Sequence, residues 1–256
     1  LVVVSPAVPT GAPLLQDIAQ HNIPIIGELE LGFQQSQCLS IAIGGTNGKG
    51  TTAEMVERML VNNHRKIILS GHGARPVCAV ADQTRDLDFL VLQVNSFQLE
   101  TTRQFRPSVA VLLNLAPDHL DRYDSLDDYA STKLRIFARQ EAADTAVLPW
   151  DDPRFRAVAA RLASRVLWFG RGDLPDGVRI GHTELAWVTH GQGRPLLPLE
   201  RLSLKGPHNH ENFAAALCLL AGLGLNPEDG RVIDTLGRAH GLHHRLEPVG
   251  DVDGVT

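Results

Sequence analysis

The stretch Ile41 to Thr52, IAIGGTNGKGTT, constrains the fold more than any other part of this chain. A short apolar run breaks into glycines, then into a lysine and two threonines, which reads as a strand, a phosphate-cradling turn and a helix start. Glycines at 44, 45 and 48 let the backbone take positive φ and aim N–H groups at an anion with no Cβ in the way. Lys49 adds a point charge. Met55, Val56, Met59 and Leu60 follow at helical spacing, so the turn is expected at a helix N-terminus, where the dipole also favours phosphate. The strict pattern GxxxxGK[ST] is not met, because Ile43 holds the first glycine position and Gly50 follows the lysine. On the loop alone, an ordinary glycine turn between strand and helix stays open.

The chain is 256 residues long, 43% hydrophobic and 21% charged, which suits one large or two ordinary domains with a real core. A net charge of -5 without a basic block argues against a nucleic-acid binder. Cys38, Cys78 and Cys218 are widely spaced and read as small buried hydrophobes of a reducing compartment. No apolar run approaches the roughly 20 residues that span a membrane, and no signal peptide opens the chain. LVVVSP begins inside a strand without an initiator methionine, and DVDGVT reads as the opening of another, so the chain is expected to be cut at both ends.

Taken in order, residues 1–4 and 23–26 read as strands and residues 12–20 and 28–35 as helices. They form half of a Rossmann-like βα layer, closed by the linker QQSQ, with a boundary near residue 38. Beyond it, apolar runs at 66–69, 89–94, 109–113, 146–148 and 166–169 alternate with helical segments at 125–140 and 153–164. That pattern predicts an α/β fold: a central ATPase-type domain with a mostly parallel sheet covered on both faces, its ligands at the carboxyl ends of the strands. Short strands at 185–188 and 202–204 and helices at 209–223 and 227–239 complete the reading.

Polar groups cluster where those strands end. NSFQLE covers Asn95 to Glu100, and NLAPDHLDRY covers Asn114 to Tyr123. His119, with Asp118 and Asp121, suits a metal or an acid, and equally a structural hydrogen-bonding role. Lys133, in DDYASTKLRIF, reads by default as a solvated surface lysine. Pro207 and Asn209 fit helix capping, and GLHHRLEP, with His244 and Arg245, fits a basic surface turn.

The joint order of GTNGKG, SFQLE, DHLDRY, DYxxxK, HNxxN and GLxHR closely resembles the Mur ligase superfamily over essentially the whole chain. VVSPAVP and IPIIGELEL fit the branch that adds D-glutamate to UDP-N-acetylmuramoyl-L-alanine. The resemblance implies three domains, of which this chain would hold residues 1–38 of a uridine-nucleotide domain, a central ATP-binding domain at 39–243, and the start of a third at 244–256. It implies a cytoplasmic, monomeric ligase of peptidoglycan synthesis that works through an acyl phosphate, with ATP as co-substrate and two Mg2+ sites.

By the same resemblance Gly45, Thr46, Asn47, Gly48, Lys49, Gly50 and Thr51 hold the phosphates, and the Thr51 or Thr52 hydroxyl faces magnesium. His119 is a ligand of the second magnesium, Lys133 is the lysine that the family carbamylates, Asn209 and Asn212 sit near adenine, and Arg245 reaches ATP. Ser5 contacts the uridine nucleotide. The chain departs from the family at Gln93, where Glu is usual before SFQLE and the neutral amide brings no charge to a metal site. It departs also at Gly50, at Asn95 in place of Ser, and in SGHGARP around His72, where a GGNIG segment contacts substrate. A folylpolyglutamate-type ligase and a degenerate nucleotide-binding module are the competing readings.

Overall fold

The computed structural model describes residues 1–73 and 75–238. A small layer opens the chain: β1 (Val2–Val4), α1 (Pro13–Gln20), β2 (Ile25–Gly27) and α2 (Glu28–Gln35), with β1 and β2 paired in parallel. α1 starts with proline at its first turn, where a missing N–H costs nothing. In α2 the Glu30 carboxylate is fully buried. It accepts the N–H groups of Arg103, Gln104 and Phe105 at 2.9, 2.8 and 3.1 Å, which offsets its desolvation and fastens the small layer to the larger body.

That body is built from β3 (Leu39–Gly44), α3 (Lys49–Asn62), β4 (Ile67–Gly71), β5 (Phe89–Gln93), α4 (Ser96–Leu99), β6 (Val109–Leu112), α5 (Leu126–Leu134), β7 (Thr145–Pro149), α6 (Pro153–Ala159), β8 (Arg165–Gly170), β9 (Gly177–Ile180), β10 (Glu184–Thr189), β11 (Gln192–Pro198), α7 (Pro207–Gly222) and α8 (Gly230–Leu236). The strands form one sheet in the order β11-β10-β9-β8-β7-β6-β3-β5-β4, parallel from β4 through β9. β10 and β11 run antiparallel at one edge.

Alternation along each strand divides the core in two. Ile41, Ile43, Val91, Val111 and Val147 pack with α3, α7 and α8, while Ala42, Leu90, Leu92, Ala110 and Leu148 pack on the other face with Leu29 of α2, Val77 and Ile136. α7 is apolar nearly all round, with Phe213 to Leu220 wholly buried, because it lies between the sheet and α3. The order reverses beside β3: the chain moves outward to β4, returns through β5, then crosses to β6 on the other side. Such a switch point opens a crevice at the carboxyl ends of the strands, where the glycine turn sits.

The parallel α/β sheet expected from the apolar runs is present, with four local corrections. Residues 202–204 are not a strand, since Leu202 follows a 3-10 turn at Leu199–Arg201 and only its side chain enters the core. The helix expected over 153–164 stops at Ala159, and that over 125–140 gives way to a 3-10 turn at Arg135–Phe137. β9 and β11 are additional strands. Of the cysteines, Cys218 is buried but Cys78 is exposed. Among the described residues no helix is long and apolar enough to cross a membrane.

Candidate functional site

Where β3 ends, Gly45 (φ 143°) and Gly48 (φ 86°) take conformations that side-chain-bearing residues rarely adopt. α3 begins directly afterwards at Lys49, and the first N–H groups of a helix have no partner within it. The Lys49 ammonium curls back to donate to the carbonyls of Gly45 (2.9 Å) and Thr46 (3.0 Å). Asn114, just past β6, clamps the turn from the side. Its Oδ1 accepts the N–H groups of Thr46 (3.1 Å) and Asn47 (2.9 Å), and its Nδ2 donates to the Asn47 carbonyl (3.1 Å). Two of the expected phosphate-facing amides are thus turned to Asn114, which leaves the start of α3 after Gly48 as the candidate anion-facing part of the turn.

Thr46 Oγ1 accepts the Ala116 N–H at 3.1 Å and stands 3.1 Å from the Tyr129 hydroxyl. Behind the turn, the Thr52 hydroxyl donates to Asn212 Oδ1 (3.3 Å), Asn212 Nδ2 to Asn209 Oδ1 (3.3 Å), and Asn209 Nδ2 to the Lys205 carbonyl (2.8 Å). Asn209 and Asn212 are therefore buried and buttress the start of α3 from α7.

Lys133 overturns its reading as a solvated lysine: it is 2% exposed, and its ammonium donates to the Gly45 carbonyl at 2.9 Å, 4.7 Å from the centre of the Tyr129 ring. Burial and then the neighbouring Lys49 charge push its pKa down to about 7, partly offset by Asp118. His119 (φ 53°) is exposed, with its ring 4.6 Å from that of Phe97 and Nε2 3.5 Å from the Asp118 carboxylate.

Gln93 closes β5 in register with Ile43 on one side and Gly71 on the other, which sets it beside the turn. Asn95 caps α4 in a reciprocal box: its Oδ1 accepts the Gln98 N–H while Gln98 Oε1 accepts its own. With the carbonyl so used, the Asn95 amide N–H donates to His72 Nδ1 (3.1 Å), and the neutral His72 ring carries its proton on Nε2. Burial first, then the charges of Lys49, His119 and Lys133, hold the His72 pKa below the usual histidine range. Ser5 lies in an exposed turn after β1, where its carbonyl accepts the Val8 N–H at 3.0 Å. His244 and Arg245 lie outside the described residues.

Among the described residues no three His, Cys, Asp or Glu side chains gather as a metal cluster. The oxygen donors on offer are the half-buried Thr51 hydroxyl, the Gln93 amide and the Asp118 carboxylate. This sparse set fits magnesium that arrives on a nucleotide and takes most of its ligands from phosphate and water. Sequence reasoning gave no role to Asn114, Tyr129 or the Glu100–Arg122 pair. Glu100, Asn114 and Arg122 lie in the strand-end segments it singled out, and Tyr129 lies in α5, four residues before Lys133.

The chain matches the Mur ligase middle domain model over residues 43–220. It is 40% identical over its whole length to the UDP-N-acetylmuramoylalanine–D-glutamate ligase of Acidobacterium capsulatum and spans 56% of that relative's length. Solved structures with the same fold include MurF from Acinetobacter baumannii, with TM-score 0.68, 21% identity, and coverage of 87% of this chain and 50% of that one. The MurF ligase of Thermotoga maritima in complex with ADP is another, with TM-score 0.62, 19% identity, and coverage of 94% and 63%. The glycine turn at the switch point, the helix that follows it and the family match agree: the chain belongs to the Mur ligase family, whose middle domain it carries.

Proposed function

We propose that this chain carries the nucleotide-binding centre of an ATP-dependent ligase that joins D-glutamate to UDP-N-acetylmuramoyl-L-alanine in peptidoglycan synthesis. The observation that carries the reading is the Gly45 carbonyl, shared by the ammonium groups of Lys49 and Lys133 at 2.9 Å each. Burial and the Lys49 charge hold the Lys133 pKa down to about 7, so the shared carbonyl keeps one fixed cation and one partly neutral amine against the turn, and a polyanion seated there pairs with that charge. The acceptor and donor follow the names of relatives such as the Acidobacterium enzyme, and the nucleotide follows the ADP-bound neighbour.

In this reading the substrate carboxylate attacks the γ-phosphorus of ATP, the P–O bond to ADP breaks, and an acyl phosphate forms. The D-glutamate amine then attacks the acyl carbon, phosphate leaves, and the amine proton is lost. Such chemistry needs alignment and charge neutralisation more than covalent help. The amides of residues 48–51 and Lys49 hold the β and γ phosphates, with Asn114, Asn209 and Asn212 fixing the turn. Thr51, Gln93, His119 and a carbamylated Lys133 are the groups that would hold magnesium, which when bound neutralises phosphate charge. Ser5, His72 and Asn95 face the uridine-nucleotide substrate, and Arg245 reaches ATP.

Residues 1–38 belong to the uridine-nucleotide domain, 39–243 to the ATP-binding domain and 244–256 to the start of a third. The enzyme works as a cytoplasmic monomer, and this chain alone binds magnesium nucleotide without ligating. The test is phosphate release by the complete protein with ATP, UDP-N-acetylmuramoyl-L-alanine and a series of amino acids. Release that requires D-glutamate and collapses in Lys49→Ala supports the reading. Release with another acceptor, or none, overturns it.

A further inference from the structure

Arg122 serves four oxygens at once. Its Nε donates to Glu100 Oε1 (3.0 Å) and its Nη2 to Glu100 Oε2 (2.7 Å), while Nη1 and Nη2 reach across to the carbonyls of Pro6 (3.0 Å) and Val8 (3.3 Å) in the loop after β1. The two side chains are 13% and 10% exposed, so this is a largely desolvated fork rather than a surface pair. Tyr123 donates its hydroxyl to Glu100 Oε1 at 2.7 Å and completes that carboxylate.

The guanidinium also lies 4.1 Å from the centre of the Phe97 ring, whose neighbour at 4.6 Å is the His119 ring. The N–H groups of Arg122 and Tyr123 both donate to the His119 carbonyl, at 2.9 and 3.2 Å, and close the turn in which His119 takes its left-handed conformation. From the other end of the same segment, Ala116 is bonded to Thr46 of the glycine turn. The path runs from Thr46 to Ala116 by hydrogen bonds, along the backbone of residues 116–119 to His119, and from there through Phe97 and Arg122 to Pro6 and Val8 beside Ser5.

We propose that Arg122 is a positioning residue that ties the Ser5 loop to the His119 loop, so that seating of the uridine nucleotide and alignment of His119 are one event. The proposal rests on the ligase reading above for what those two loops bind. Lysine would not substitute, because a single ammonium lacks the planar fork that serves a carboxylate and two carbonyls together.

Two measurements test it, each comparing Arg122→Lys with the native protein. In the complete enzyme, Arg122→Lys is expected to raise KM for the uridine-nucleotide substrate and to lower kcat, each by about tenfold. The affinity for ADP stays unchanged. Phe97→Leu, which spares the Arg122–Glu100 fork, lowers kcat alone. A staple without a positioning role would reduce stability and the active fraction and leave KM where it was, and that result overturns the proposal.

The second measurement is hydrogen exchange on this chain with magnesium ADP. Nucleotide is expected to slow exchange at the Ala7 and Val8 amides in the native protein, and not in Arg122→Lys although ADP still binds. An equal response in both, or none in either, overturns the coupling even if the ligase assay reveals a different acceptor.

Discussion

Gly48 and Asn212 approach so closely that a methyl group on Gly48 would stand 2.4 Å from Asn212 Oδ1. With φ of 86° the backbone there is also left-handed, so Gly48→Ala faces strain and a clash together. The variant is expected to lose about 1 to 3 kcal/mol of stability from the backbone strain alone and to bind nucleotide poorly. Urea unfolding and ADP titration measure both. Native-like values in both would mean that α7 gives way at no cost.

Asn114 holds the glycine turn through three hydrogen bonds of one amide. Asn114→Ala removes the acceptor from two backbone N–H groups and should weaken nucleotide binding by roughly tenfold, about the effect of one lost hydrogen bond to a preorganised loop. Isothermal titration with ADP reads this directly. Asn114→Asp keeps the acceptor for those two groups, and is expected to retain more affinity than the alanine variant.

Lys133 makes stability depend on pH. Its pKa falls from 10.5 to about 7 in the folded protein, so between those values the unfolded chain binds more protons and stability rises with pH. Below about 7 both states are protonated and the full cost of the buried charge is present. Urea midpoints in buffers free of carbon dioxide should rise from pH 7 to pH 10 in the native protein, and that contribution should vanish in Lys133→Met.

A neutral amine is the form that attacks carbon dioxide: the new N–C bond gives a carbamate and releases a proton. With its pKa near 7, about half of the Lys133 side chains are neutral at neutral pH. Labelled bicarbonate should therefore give a carbamate carbon signal that Lys133→Ala lacks, and short carboxylates should restore activity to that variant of the complete protein. Full activity in Lys133→Ala without added carboxylate would rule the modification out as a requirement.

Gln93 ends β5 beside the turn with a neutral amide. Gln93→Glu adds a charge to a sparse donor set, so half-maximal phosphate release should need less magnesium, by about 1 to 3 kcal/mol in binding terms. Nucleotide contacts through the backbone and Lys49 should persist. An unchanged magnesium dependence would show that position 93 is not a ligand.

Much of the fold is legible in the sequence itself. The apolar runs mark the parallel strands, and the glycine pattern marks the strand–turn–helix junction at Gly44 to Lys49, because both signals are local. GVRI at Gly177–Ile180 and GRPLLP within β11 were missed, since glycine and proline demote a strand and only pairing with neighbours rescues it. Residues 202–204 look strand-like because two of the three are leucine, but Leu202 enters the core from a turn and pairs with no strand among the described residues. Lys133 could not be judged from its helix, because its burial depends on Gly45, 88 positions away in sequence. Glu100 and Arg122 stood in two separate motifs, and only the tertiary fold shows them as one pair.

The antiparallel strands at the end of the sheet bear on solubility. β11 is the outermost strand, and two of its 7 residues, Pro195 and Pro198, have no N–H to offer. The register shifts where it faces Leu185 and Ala186, so Leu196 falls between the paired positions and the strand bends. A second chain docking there would meet an interrupted ladder rather than a straight row of donors and acceptors. At this margin of the sheet edge-to-edge pairing is hindered, and replacing both prolines by threonine is the change that would expose that hazard.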